Sequence, residues 1–202
     1  GRDLVVVLVA LYRYQNFPIR IIHPLLESID GVTPHTIFFK HVDSNDFDPP
    51  SEKERELFAE AIADLNPDLV GFSLLTPHAL IATDLNKIVR DNSSAKVMWG
   101  GVHPTIDPES CIKEADIICV GEGEGAIAEL AQKMSKGEDY DDVQNLWIRE
   151  NGQIKKNPQR MLIDDLDSLP FPAYWKDSYL FINDNKISRA DTLIGDDRAL
   201  WI

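Results

Sequence analysis

Apolar positions along the chain alternate between two rhythms. Short, nearly continuous apolar runs fall at Leu4 to Leu11, His35 to Lys40, Asp68 to Phe72, Ala95 to Trp99 and Asp116 to Val120. Runs of that length without alternation mark strands buried on both faces, as in a parallel sheet. Between them, apolar residues recur three and four positions apart, which is helical spacing. Ile19, Ile22, Leu25, Leu26 and Ile29 predict a helix that begins at Pro18 and ends at Asp30-Gly31. Pro24 sits awkwardly inside it, where it would kink or restart the helix. Ser51 and Glu54 have the spacing of a capping box, and Leu57, Phe58, Ala61, Ile62 and Leu65 carry that helix to the break at Asn66-Pro67. Leu80, Ile81, Leu85, Ile88 and Val89 predict a helix after Pro77. A short helix follows Pro108, and another runs from about Gly125 to Lys136, ending near Gly137. Alternation of this kind predicts an α/β fold with a doubly wound, five-stranded parallel sheet. The strand His35 to Lys40 is short and mixed, so it is expected nearer an edge.

The pattern changes after Gly137. Asn145 to Glu150 and Gln153 to Asn157 read as a small hairpin, joined by Asn151-Gly152, a strong type I′ turn signal. Residues 163–174 are rich in proline and acidic side chains, and their X-Pro bonds favour an extended strap. Asp43 to Pro50 reads as an acidic loop. From Asp177 onward no periodicity is clear, and Asp196, Asp197 and Trp201 carry no interpretable signal. The expected division is therefore an α/β domain over residues 1–138 and a hairpin with a linker-like extension over 139–202.

The length of 202 residues suits one α/β domain with an extension. The net charge is −14 and the basic residues are scattered. Nucleic-acid binding needs a clustered basic face, so no nucleic-acid partner is expected. No apolar run approaches ~18 residues, so no membrane span is expected. The first run is too short and wrongly flanked for a signal peptide, and a cytoplasmic location is expected. The two cysteines, Cys111 and Cys119, match no metal-ligand spacing. Cys119 lies in an apolar strand and Trp99 closes another, so both read as core.

Candidate chemistry gathers where three strands end. Those ends read Ser73-Leu74-Leu75-Thr76, Gly100-Gly101-Val102-His103 and Gly121-Glu122-Gly123-Glu124. In an open α/β sheet the ligand crevice lies at the carboxyl ends of the strands. Glycine there lets backbone approach a large ligand closely. The first strand ends in Val9-Ala10-Leu11-Tyr12 with no carboxylate, which argues against a phosphoacceptor. It also lacks a hydroxyl-rich phosphate loop, which argues against a flavin carrier of flavodoxin type.

Four segments, in order, carry a resemblance. They are Gly100-Gly101-Val102-His103-Pro104-Thr105, Gly121-Glu122-Gly123-Glu124, the Asn151-Gly152 hairpin, and Asp165-Leu166-Asp167-x-Leu169-Pro170-Phe171-Pro172-Ala173. Over residues 4 to 175 the chain resembles the N-terminal cobalamin (vitamin B12)-binding domain of B12-dependent radical S-adenosylmethionine enzymes. It is similar to the type found in the magnesium-protoporphyrin monomethyl ester cyclase group. The resemblance implies a flavodoxin- or Rossmann-like cobalamin-binding fold with the corrinoid over the carboxyl rim and its nucleotide tail between strand-end loops. It implies that Ser73, Leu75, Gly100 and Gly101 line the tail channel, with Ser73 offering a hydroxyl to the base. Thr76 would bond the tail or the corrin amides, and Gly121 and Gly123 would pass near the tail's sugar and phosphate. Glu122 would accept a ribose hydroxyl. His103 would face the corrin edge beside Val102. Tyr12 and Tyr14 would lie beneath the corrin.

The chain departs from that pattern in two places. The wider fold often supplies a cobalt-ligating histidine after the first strand, but the loop Tyr12-Arg13-Tyr14-Gln15-Asn16-Phe17 has none. The implied cobalamin is therefore base-off, without a protein imidazole ligand. The radical enzymes also hold a [4Fe–4S] cluster on a Cys-x-x-x-Cys-x-x-Cys motif, and two cysteines cannot supply three thiolates. The cluster and S-adenosylmethionine would belong to a catalytic domain outside this chain. The alternative is a degenerate interaction domain that binds no corrinoid, its pocket filled by Tyr12, Tyr14 or Phe17 or closed by the strap.

Overall fold

Leu4–Leu11 forms β1, a central strand of the sheet. The computed structural model describes residues 1–41, 48–162 and 166–189. Part of the acidic loop, residues 163–165 of the strap, and Asp196, Asp197 and Trp201 therefore lie outside the described residues. After β1 come α1 (Phe17–Glu27), β2 (Val32–Phe39), α2 (Glu52–Leu65), β3 (Leu69–Ser73) and α3 (Ala79–Asn92). They are followed by β4 (Lys96–Gly100), α4 (Val102–Ile106), α5 (Pro108–Glu114), β5 (Ile117–Cys119) and α6 (Glu124–Lys136). The remaining strands are β6 (Leu146–Glu150), β7 (Gln153–Lys156), β8 (Tyr179–Asn183) and β9 (Lys186–Arg189).

Among the described residues these strands form one nine-stranded sheet in the order β7-β6-β5-β4-β3-β1-β2-β8-β9. β5, β4, β3, β1, β2 and β8 run parallel, and an antiparallel hairpin closes each edge. The five expected parallel strands are present, and β8 is a sixth. β8 escapes pattern reading because its apolar run, Tyr179-Leu180-Phe181-Ile182, is short, follows the proline-rich strap and has no helical stripe on either side to mark a strand–helix alternation. Its hairpin turns at Asp184 and Asn185, both with positive φ, the type I′ requirement. β8 also makes β2 an interior strand rather than an edge. Pro34 precedes the segment Thr36–Phe39 that pairs with β8, so its missing N–H falls outside that ladder.

Side chains alternate between the two faces of β1. Val7, Val9 and Leu11 pack with Leu57, Phe58 and Leu85 beneath α2 and α3. Val6, Leu8 and Ala10 turn toward Ile19 and Leu26 of α1 and Leu130 of α6.

The awkward proline has a structural use. α1 runs through Pro24, which cannot donate to the carbonyl of Arg20 one turn back. That carbonyl instead accepts the N–H of Ala173 in the strap at 2.8 Å. The Arg20 side chain is buried and donates to the carbonyls of Tyr14, Ala173 and Tyr174. Its guanidinium also lies 4.6 Å from the centre of the Phe38 ring. The described part of the strap is thus pinned to α1 by one residue's backbone and side chain.

Candidate ligand crevice at the carboxyl rim

Register arranges the α1/α6 face of the sheet in tiers. In the lower tier Leu8 pairs with Gly71 and Gly71 with Met98. Two residues nearer the carboxyl rim, Ala10 pairs with Ser73 and Ser73 with Gly100. Cys119 continues this upper tier: a methyl added to Gly100 would lie 3.9 Å from its Cβ. Each tier therefore lacks one side chain, at Gly71 and at Gly100. A methyl added to Gly71 would sit 3.5 Å from Leu8 Cδ2 and 3.8 Å from Ile127 Cδ1, in ordinary contact. The result is a cavity of about 470 Å³ between the sheet and the two helices. Its floor is Leu8, Met98, Ile22 and Ile127, all nearly buried. Nearer the mouth come Ser73, Thr105, Glu122 and Glu124, with Val102, Ile106 and Leu162 exposing apolar surface beside them.

The mouth is built by two loops in close contact. Leu74 N–H donates to the Gly100 carbonyl at 2.8 Å, and His103 N–H donates to the Leu74 carbonyl at 3.0 Å. Gly101, at φ +97°, sits in this crossing, and a Cβ there would lie 2.8 Å from Leu74 O and 2.9 Å from Leu74 N. Only glycine meets both demands. The hydroxyl of Thr105 donates to the Gly101 carbonyl and accepts the N–H of Gly121, each at 3.0 Å. Asn145 holds the same loop from outside: its Nδ2 donates to the Glu122 carbonyl at 2.9 Å, and its Oδ1 accepts the Arg160 N–H at 2.8 Å.

Of the residues singled out from sequence, Ser73, Gly100, Gly101, Val102, Gly121, Glu122 and Gly123 line this cavity. Leu75 and Thr76 lie outside its walls. Leu75 is half-buried and its N–H donates to His78 Nδ1 at 3.3 Å, while Thr76 is exposed at the start of the short 3₁₀ turn Thr76–His78. His103 is also outside the walls, and its Nδ1 is buried with no hydrogen-bond partner among the described residues. Tyr12 and Tyr14 do not reach the cavity either. At φ +61° Tyr12 reverses the chain, and its ring is buried on the α2/α3 side, stacked on His78 at 5.7 Å. Its hydroxyl donates to the Asp48 carbonyl at 2.6 Å, and burial, with Glu54 and Asp48 nearby, pushes its pKa up to about 12. Tyr14 stacks on His41 at 4.2 Å and meets Phe38 and Phe181 edge-on.

Gly71, Met98, Ile22 and Cys119 were not singled out from sequence, yet they shape the cavity. A usable signal existed for Gly71: a glycine inside an apolar strand marks a close approach. The two thiols lie on opposite faces of the sheet. Burial raises Cys119 to about 12 and Cys111 to about 11, so both are protonated near neutrality and are poor metal ligands. Among the described residues no helix is long and apolar enough to cross a membrane.

A parallel sheet wrapped by helices on both faces, with a glycine-lined crevice at its carboxyl rim, defines an open α/β ligand-binding domain. Residues 4–131 match the B12-binding domain family, and the chain belongs to it. Over 120 residues it is 34% identical to an uncharacterized methyltransferase of Pyrococcus horikoshii, covering 57% of this chain and 26% of the relative. Over 121 residues it is 27% identical to the anaerobic magnesium-protoporphyrin IX monomethyl ester cyclase of Cereibacter sphaeroides, covering 56% of this chain and 20% of that protein. The cobalamin-dependent S-adenosylmethionine radical enzyme OxsB, with aqua-cobalamin bound, is similar in fold at TM-score 0.67 and 17% identity, over 85% of this chain and 24% of its own. The radical S-adenosylmethionine methyltransferase TsrM from Kitasatospora setae, with cobalamin and a [4Fe–4S] cluster bound, is similar at TM-score 0.62 and 16% identity, over 86% of this chain and 31% of its own. At these identities the solved structures show the fold. The chain spans about a fifth to a quarter of the length of the two sequence relatives it matches.

Proposed function

We propose that the chain holds a cobalamin for a radical S-adenosylmethionine catalytic domain of the same full-length protein. One observation carries this reading: the cavity opened by Gly71 and Gly100 behind the strand-end loops, at the place where the fold holds its ligands. The residues fit the group. An apolar floor of Leu8, Met98, Ile22 and Ile127 suits the flat base of the nucleotide tail, and the Ser73 hydroxyl stands above it. Gly100 and Gly123 leave backbone open for the tail's sugar and phosphate, since a Cβ at Gly123 would meet nothing within 4 Å. Glu122, at the mouth, is positioned to accept a ribose hydroxyl. Bound there, the corrinoid supplies cobalt chemistry for methyl transfer or for a radical rearrangement or cyclisation. The chain's own part is to seat the tail, exclude water from its base and present the opposite corrin face to the catalytic domain.

In this reading the cobalamin is base-off. The loop after β1 supplies no imidazole, and a catalytic domain outside this chain would hold the [4Fe–4S] cluster and S-adenosylmethionine. The alternative of a filled pocket fares worse, because Tyr12 and Tyr14 pack elsewhere and leave the cavity open.

The test is incubation of the purified protein with hydroxocobalamin, desalting and a visible spectrum. The expected result is roughly one corrinoid per chain with a base-off spectrum, lost in Ser73→Trp. Absence of any retained corrinoid in the full-length protein would overturn the proposal.

A further inference from the structure

We propose that the crevice selects its corrinoid by lower base, accepting a benzimidazole and rejecting a purine. The inference rests on the proposed function above and concerns which corrinoid the same site takes.

The two tiers of the sheet set out what a buried base would meet. On the lower tier, Leu8, Gly71 and Met98, closed by Ile22 and Ile127, offer no polar side-chain atom. The backbone groups of these strand residues serve parallel ladders on both sides of β3. On the upper tier the side-chain polar groups are one hydroxyl, Ser73, and one thiol, Cys119. That thiol is buried and points toward the carbonyls of Gly121 and Glu122, at 3.8 and 3.5 Å. The Thr105 hydroxyl is committed to Gly101 and Gly121. Glu122 and Glu124 lie beyond the end of β5, on the mouth side of the crevice.

Among the described residues the side-chain inventory is therefore one hydroxyl without a hydrogen-bond partner over an apolar floor. A benzimidazole released from cobalt has one acceptor nitrogen and an otherwise apolar edge, so its polar demand matches what Ser73 offers. Two methyl groups on that edge would each add roughly fourfold in affinity when buried. An adenine carries several acceptor nitrogens and an amine donor. On this floor all but one would be buried without a partner, which disfavours binding by roughly ten- to a hundredfold.

Equilibrium titration of the purified protein with three corrinoids tests this. Cobalamin carries the benzimidazole tail, its adenine counterpart carries the same corrin with a purine base, and cobinamide lacks the nucleotide tail. The expected order is cobalamin tightest, the adenine corrinoid ten- to a hundredfold weaker, and cobinamide no tighter than the adenine form. Equal affinity for the two complete corrinoids, both above cobinamide, would overturn base selection and leave the proposed function standing. Equal affinity for all three would remove the tail from the crevice and overturn the inference. Failure of all three to bind would overturn the inference and the proposed function together.

Discussion

The two faces of the sheet solve the same packing problem in opposite ways. Neighbouring residues of the same strands take part in both. Phe72 and Trp99 fill the face beneath α2 and α3, where the Trp99 indole N–H donates to Asn86 Oδ1 at 3.1 Å. One position earlier, Gly71 and Met98 turn toward α1 and α6, where about 470 Å³ stays open. A protein interior packed to the usual density does not leave such a volume without reason. The filled face packs the core, and the open face leaves the crevice in which the proposed corrinoid tail would sit.

The largest expected effect breaks the filled face. Trp99→Ala should cost about 3–5 kcal/mol, because a buried indole leaves a cavity and a stranded Asn86. A denaturant titration measures it. Next comes the loop crossing at the mouth. Gly101→Ala should cost about 2–3 kcal/mol, since φ +97° and a backbone oxygen 2.8 Å from the new Cβ leave it no room. Its denaturant midpoint should fall with an unchanged slope.

Acid should act on both sides of the sheet. His23 on α1 is fully buried between Thr36 and Ser178, at 2.8 and 2.9 Å, and burial lowers its pKa to about 3. Lys176 and His35 push in the same direction. His78, stacked on Tyr12, is lowered by burial, then by Arg13, to about 4. Both are neutral in the folded chain and take up a proton near pH 6.5 when unfolded. Their stability is therefore present above pH 6.5 and is lost as pH falls toward 4 for His78 and 3 for His23. Each should remove about 2 kcal/mol between pH 7 and 5. His23→Gln should flatten the pH dependence of the denaturant midpoint over that window.

The smallest effect on stability is also the sharpest contrast with Gly101. Gly71 is not at positive φ, and its Cβ would make ordinary contacts. Gly71→Leu should fill the floor and change stability by less than about 1 kcal/mol. Two glycines in one crevice thus differ in kind. Gly101 is required by the fold, and Gly71 is required only if something else occupies the space.

That distinction marks what the sequence could show. The alternation of apolar runs with helical stripes was legible because buried parallel strands and amphipathic helices differ in period. The strand-end loops with Ser73, Gly100 and Gly121 were legible because they follow those runs. Gly71 was harder to see because nothing in a linear pattern says which face a strand residue takes until register is known. Tyr12 looked like a rim residue by position, but its backbone turns it into the core. Pro24 looked like a fault in a helix and is the reason the Arg20 carbonyl is open to accept the strap's Ala173 N–H. β8 was hidden by its setting, a short apolar run after a proline-rich strap with no helical stripe beside it.

The central claim is that the open face is kept open for a corrinoid tail. The most direct measurement titrates cobalamin into the native protein and Gly71→Leu side by side, with a denaturant curve for each. Tight binding by the native protein, a loss of at least tenfold in Gly71→Leu and nearly equal stability are the expected results. Equal affinity in the two proteins would contradict the claim, because the floor would then be filled and the ligand indifferent to it.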